Sequence, residues 1–201
     1  MRRLATIVLG TSLVFTYALP AQGATPGQLP QTGREPSFAI ALTNEMRLLV
    51  RAISTNSPAI GQEVFFPEAA YLQMKTGVIP APASDYVDRL VAFYRLDLAT
   101  YHDKLFAPTA STFLRVNANA HLAQWIPPGA CENRVGYWHV PGVRLVVERD
   151  RHVVSVAVAS LISWRGVWYV VHLGPNPRPH NVGTLDDYRA GPGTPGPAGG
   201  C

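Results

Sequence analysis

The stretch Val153–Leu173, VVSVAVASLISWRGVWYVVHL, decides the fold. Two runs rich in β-branched and aromatic residues, Val153–Ile162 and Val167–Leu173, flank Trp164-Arg165-Gly166. There the glycine supplies the positive φ of a tight turn, so the stretch predicts a hairpin. A third run, Val135–Glu148, precedes it across the polar loop Arg149–His152 (RDRH), and a weaker strand over Thr112–Asn117 leads in through Trp125 and the turn IPPGACEN. Together these segments read as an antiparallel meander. Pro141-Gly142 interrupts the first long strand and predicts a bulge or bend, because proline cannot donate to the ladder. Alternation puts Val154, Val156, Val158 and Ile162 on one face. Val153, Ala157, Ala159 and Leu161 share the other with Ser155 and Ser163. Both faces are partly apolar, so the sheet is expected to curl, pack its helices on the concave side, and bury or lend out part of the convex one.

Upstream the period changes from two to three and four. Phe38, Leu42, Met46, Leu49 and Ile53 share one face of a helix that Ser37 can cap and that stops by Pro58. A second helix is predicted over Pro67–Lys75, with Gly77 just past its end. The third starts near Ser84 or Asp85 and ends before Pro108. Val87, Leu90, Val91, Tyr94, Leu98, Tyr101 and Leu105 form its apolar stripe, and Asp88, Arg89, Arg95 and Asp103 lie outside it. The predicted fold class is α+β, with N-terminal helices packed on a curved antiparallel meander in a cone-like arrangement.

The chain has 201 residues, 47% of them hydrophobic and 15% charged, enough for one well-filled core. Residues 1–23 read as a secretory signal peptide. Arg2 and Arg3 precede the apolar run Leu4–Leu19, Pro20 breaks it, and Ala21 and Gly23 place small residues at a cleavage site before Ala24. The run is short for a membrane span, so no stable span is expected after cleavage, and the protein is expected to be secreted or associated with the cell envelope. No cysteine follows the run to accept a lipid. Residues 24–36 read as a linker, 37–180 as one globular domain, and 181–201 as a Pro/Gly-rich tail. The formal charge of +4 includes Arg2 and Arg3, so the mature domain is only mildly basic and shows no nucleic-acid-binding stripe.

The two cysteines, Cys131 and Cys201, are expected to form a disulfide in an oxidising compartment, pinning the tail back to the domain. Such a crosslink stabilises by roughly 4 kcal/mol in the chain-entropy model. A free or intermolecular Cys201 is the alternative. The segment HLGPNPRPHN (172–181), with Pro175, Pro177 and Pro179, is expected to run along the domain as polyproline II.

The helical order followed by a meander ending in WRGVWYVVHL resembles the closing strands of the nuclear-transport-factor-like cone fold. The chain departs from that pattern, since Gly77–Ser84 leaves no room for the usual strand pair between the second and third helices. FFPEAAYLQMKTG (65–77), ACENRVGYWHVPG (130–142) and HLGPNPRP (172–179) resemble secreted actinobacterial, mycobacterial-type proteins of unknown function. That resemblance implies a compartment and a lineage, and no activity.

No catalytic motif stands out. GxSxG, HExxH and paired-cysteine ligand spacings are all missing, and no metal or cofactor is implied. Six histidines are present. His139 and His172 sit on strands that can face one cavity and supply acid/base chemistry, with Glu148 or Arg144 as partners. Tyr137 and His139 point to one face, Trp138 to the other. Tyr137, Trp138, His139, Trp164, Trp168 and His172 are therefore the candidate binding residues, although aromatic residues in a meander more often fill the core. The leading expectation is a secreted, non-enzymatic binding or interaction domain for a small apolar ligand, cell-envelope component or protein partner. The alternative is a cone-fold cavity enzyme using His139 and His172.

Overall fold

The structure, a computed structural model, describes residues 30–197. The expected signal peptide, the first part of the expected linker and Cys201 lie outside the described residues.

Among the described residues five α-helical segments precede the sheet: α1 (Ile40–Ser54), α2 (Pro58–Gly61), α3 (Glu68–Lys75), α4 (Pro82–Asp85) and α5 (Ala92–Leu105). Leu42, Met46, Leu49 and Ile53 of α1 are all buried, as their spacing requires, and Phe38 packs on Trp168 with ring centroids 5.2 Å apart. The expected Ser37 cap is displaced: the N-cap is Ala39, and Ser37 Oγ accepts from Ala39 N instead. None of the helices among the described residues is long and apolar enough to cross a membrane.

The third predicted helix contains a feature its sequence did not announce. Between α4 and α5 the turn widens into a π-helix over Tyr86–Val91, with hydrogen bonds to the fifth residue instead of the fourth. The wide turn shifts the phase of the apolar stripe. Tyr86 and Leu90 turn inward and Val87, expected in the stripe, is exposed. From Leu90 onward the expected stripe is buried throughout.

The antiparallel sheet has six strands: β1 (Thr112–Asn117), β2 (Gln124–Ile126), β3 (Tyr137–Arg149), β4 (His152–Trp164), β5 (Val167–His172) and β6 (Asp186–Ala190). The fold class is thus α+β, with helices followed by a meander. The hairpin of β3 and β4 is its spine, β1 and β2 sharing the outer edge of β3 and β5 and β6 that of β4. Asp150 and Arg151 close the spine with φ of 50° and 63°, and Arg165 and Gly166 close the next hairpin with φ of 48° and 83°. Both pairs are left-handed, as two-residue turns between twisted strands favour.

Pro141-Gly142 bends β3, Gly142 taking a φ of 58°, but the β3–β4 register runs unbroken through it, from His139↔Ile162 to Arg149↔His152. The register irregularities fall elsewhere, including one between β4 and β5 at Ser160/Leu161.

Both faces of β4 are covered by the protein itself. Val154, Val156, Val158, Ile162 and Trp164 join the main core. On the opposite face the C-terminal segment, read from sequence as a Pro/Gly-rich tail, supplies β6 and then crosses the fully buried Arg144. The Arg144 guanidinium donates to Ser155 Oγ (2.9 and 3.0 Å), Asp187 O (2.6 Å) and Asp187 Oδ2 (2.7 Å). The described part of the linker is docked too. The Gln31 side chain bonds Gly136 O (2.9 Å) and Arg165 N (2.7 Å), and Trp138 Nε1 donates to Gly33 O (2.8 Å). Terminal segments on the second sheet face explain why that face reads as apolar.

Candidate functional site

Helices and sheet flank a half-open cavity of about 950 Å³, at the upper end of the range typical of small-molecule sites. Its sheet wall is built on one end of the spine. Tyr137 and His139 of β3 enter with the same parity, and Ser160 and Ile162 of β4 lie across from them. His139 Nε2 and Ser160 Oγ share a 2.8 Å hydrogen bond. Ser160 is also the register partner of His172 on β5. At the irregularity beside it β5 carries one extra residue, so Val171 and His172 both line the cavity although they are neighbours in a strand. A bulge re-aims side chains in this way.

The helical wall comes from α3, the loop after it and the π-helix. Arg89 grips Asp85 with two hydrogen bonds, Nε to Oδ1 at 2.7 Å and Nη2 to Oδ2 at 2.6 Å. It also donates to Tyr71 Oη at 3.0 Å, while Tyr71 donates to Asp85. Lys75 Nζ reaches Cys131 O (3.2 Å), and Arg134 N donates to Met74 O (2.9 Å), tying the 130–134 turn to the end of α3. Phe66, Met74 and Leu90 lie on the same side, almost fully buried behind the wall.

These surroundings set the protonation of the walls. The hydrogen bonds from Arg89 hold the Asp85 carboxyl below its ordinary range. Burial, reinforced by Asp85, raises the Tyr71 phenol. Burial pushes Tyr137 up to about 12, with the Asn133 amide donating to its oxygen. Desolvation lowers Lys75. The largest consequence falls on His172. Burial first, and then the positive charges of Arg89, His139, Arg178 and Lys75, depress its pKa to about 4. At neutral pH its ring is uncharged. Its side chain makes no hydrogen bond among the described residues, which leaves the ring nitrogens to whatever occupies the cavity.

Of the six residues singled out in the sequence, Tyr137, His139 and His172 line the cavity and Trp138, Trp164 and Trp168 do not. Trp138 faces the other side and packs edge-on against Trp125 at 6.1 Å. Trp164 is buried against the edge of Phe66, and Trp168 against Phe38. The acid/base partners considered for the histidines are also elsewhere: Arg144 lies under the C-terminal segment, and Glu148 is exposed at the far end of β3. Tyr71, Lys75, Asp85, Arg89 and Ser160 were missed. A four-residue spacing of Asp85 and Arg89 on a helix is a legible sign of their ion pair, but nothing local connects that pair to Tyr71.

A histidine with a pKa near 4 is a weak general base at neutral pH, where catalysis favours a group titrating near the working pH. It remains a good neutral hydrogen-bonding group. The cavity thus combines apolar surface, which favours an alkyl or aromatic body, with polar groups converging at the sheet wall, which orient a head group. Cys131 is not a free thiol. Comparison with known protein families, with curated proteins and with solved structures finds no match to this chain.

Proposed function

We propose that this protein is a secreted, non-enzymatic binding domain whose cavity holds a small, largely apolar molecule with one polar end. The observation that carries the reading is the cavity of about 950 Å³, in which Phe66, Met74, Leu90 and Ile162 face one space with His139, Ser160 and His172. Export, association with the cell envelope and kinship with secreted actinobacterial proteins are part of the same reading, as is a cone-like enclosure resembling the nuclear-transport-factor-like fold. A neutral polarity-sensitive dye such as Nile red tests it. Saturable, blue-shifted fluorescence that Val171→Trp removes without loss of folding is the expected outcome. Equal binding by wild type and variant places the dye elsewhere and ends the reading.

The Ser160–His139 hydrogen bond favours a second reading, a cavity enzyme in which His139 activates Ser160 for hydrolysis. It predicts turnover of short-chain p-nitrophenyl esters that Ser160→Ala abolishes. Absence of turnover by the folded wild type rejects it.

The pairing of Cys131 with Cys201 belongs to the proposal as well, and Cys201 lies outside the described residues. Intact-mass analysis before and after reduction is expected to reveal one bridge per chain. Two alkylatable thiols without reductant contradict it.

A further inference from the structure

Building on the cavity as a ligand site, we propose that its ligand is an uncharged amphiphile whose single hydroxyl is held between His172 and Ser160. Three observations carry that class.

The first is charge. Each cation of the lining is already answered by an acid. Arg89 grips Asp85 through two hydrogen bonds, and Lys75 faces Glu132 while donating to Cys131 O at 3.2 Å. Asp88, the remaining acid of the lining, is exposed and solvated. Arg178, on the loop after β5, is paired with Asp97. A carboxylate or an ammonium entering this space leaves water and meets no unanswered counter-charge, so an ionic head loses more than it gains.

The second is hydrogen-bonding capacity. The His172 ring lines the cavity and makes no hydrogen bond among the described residues. Ser160 is its register partner across β4 and β5, and shares one hydrogen bond with His139 Nε2. A neutral imidazole offers one donor and one acceptor, and a hydroxyl bonded once keeps capacity for more. Side chains on one face of paired strands stand about 5 Å apart. A single oxygen that both donates and accepts spans that gap with two hydrogen bonds. A hydroxyl is such a group, whereas an ether or ketone oxygen only accepts.

The third is the partition of the lining. The apolar side chains that reach the open part of the cavity are Val171, beside His172, and Ile79, Pro80 and Ala81 of the loop after α3. Met74 and Ile162 stand buried behind them. The stretch 76–83, TGVIPAPA, carries no charge at all. An aliphatic body covers this surface while its head reaches the sheet wall.

Calorimetric titration of the intact protein at about pH 8, where an ordinary imidazole is neutral, tests this with 1-octanol, methyl octyl ether, octanoate and octylamine. Octanol is expected to bind at least about ten-fold more tightly than octanoate or octylamine. It is expected to bind about three- to ten-fold more tightly than the ether, which has an acceptor but no donor. His172→Phe keeps a ring and loses its hydrogen bonds, and is expected to bring octanol to the level of the ether. His172→Gln, which keeps a donor and an acceptor, is expected to retain most of the preference. Equal binding of octanol and the ether, equal or tighter binding of either ion, a preference unchanged in His172→Phe, or failure of octanol to bind overturns the hydroxyl assignment. The cavity reading is judged separately by Nile red, and falls if the dye binds wild type and Val171→Trp alike.

Discussion

The Asp97 carboxylate and the Arg178 guanidinium meet with only 2% of either side chain exposed, joining α5 to the loop that leaves β5. The same carboxylate accepts from Gly174 N (2.9 Å), Thr184 N (2.9 Å) and Thr184 Oγ1 (3.3 Å). One buried group thus fixes both ends of the Pro-rich exit to α5. Arg178 also lies over the Phe93 ring, 4.6 Å from its centroid.

Removing one member of such a pair leaves the other charged and unsatisfied. Asp97→Ala is accordingly expected to destabilise the fold by about 3–5 kcal/mol in urea titrations. Asp97→Asn, which keeps one acceptor for the backbone donors, is expected to cost less. A loss below about 1 kcal/mol for the alanine variant contradicts this role.

Arg144 plays the matching part on the other sheet face. Gly193 passes so close that a Cβ there would lie 2.3 Å from Arg144 Nε, and Asn117 Nδ2 donates to Gly193 O at 3.1 Å. Gly193 also has a φ of 60°, which glycine tolerates best. Gly193→Ala and Arg144→Ala are both expected to release the segment after β5. Amide exchange over 186–197 reads the release, and unchanged protection there rules out Arg144 as the anchor.

Stability is expected to depend on His172 in mildly acid solution. Its pKa is lowered from 6.5 to about 4, so below pH 6.5 the unfolded chain binds a proton that the folded one refuses. The contribution is complete above pH 6.5 and is lost as pH falls toward 4, at most about 3 kcal/mol from this group. Chemical denaturation across that window is expected to show the loss in wild type and a flatter profile in His172→Gln. Identical profiles contradict the depressed pKa.

Where structure follows local pattern, it was legible. The alternation of β4, the turn at Arg165-Gly166 and the burial of Leu42, Met46, Leu49 and Ile53 follow from side-chain period and turn chemistry alone. Val87 was misplaced because a π-turn shifts the helical phase, and no composition marks one. Tyr137, His139 and His172 could be placed on strands facing one space, yet the side-by-side entry of Val171 and His172 depends on a register change between strands. Trp138, Trp164 and Trp168 drew attention by their size, and each turned out to be packed against the chain itself. Tyr71, Asp85 and Arg89 come together across two helices, and Arg144 finds its partners more than ten residues away in Ser155 and Asp187. Long-range pairings of polar groups have no periodic signature.

The most direct test of the ligand site is crystallographic. Crystals grown with a bromine-tagged alkyl alcohol are expected to show an anomalous peak among Phe66, Met74 and Ile162, with the hydroxyl at His172. A saturated crystal with bromine only on the outer surface, or with an empty cavity, contradicts the account.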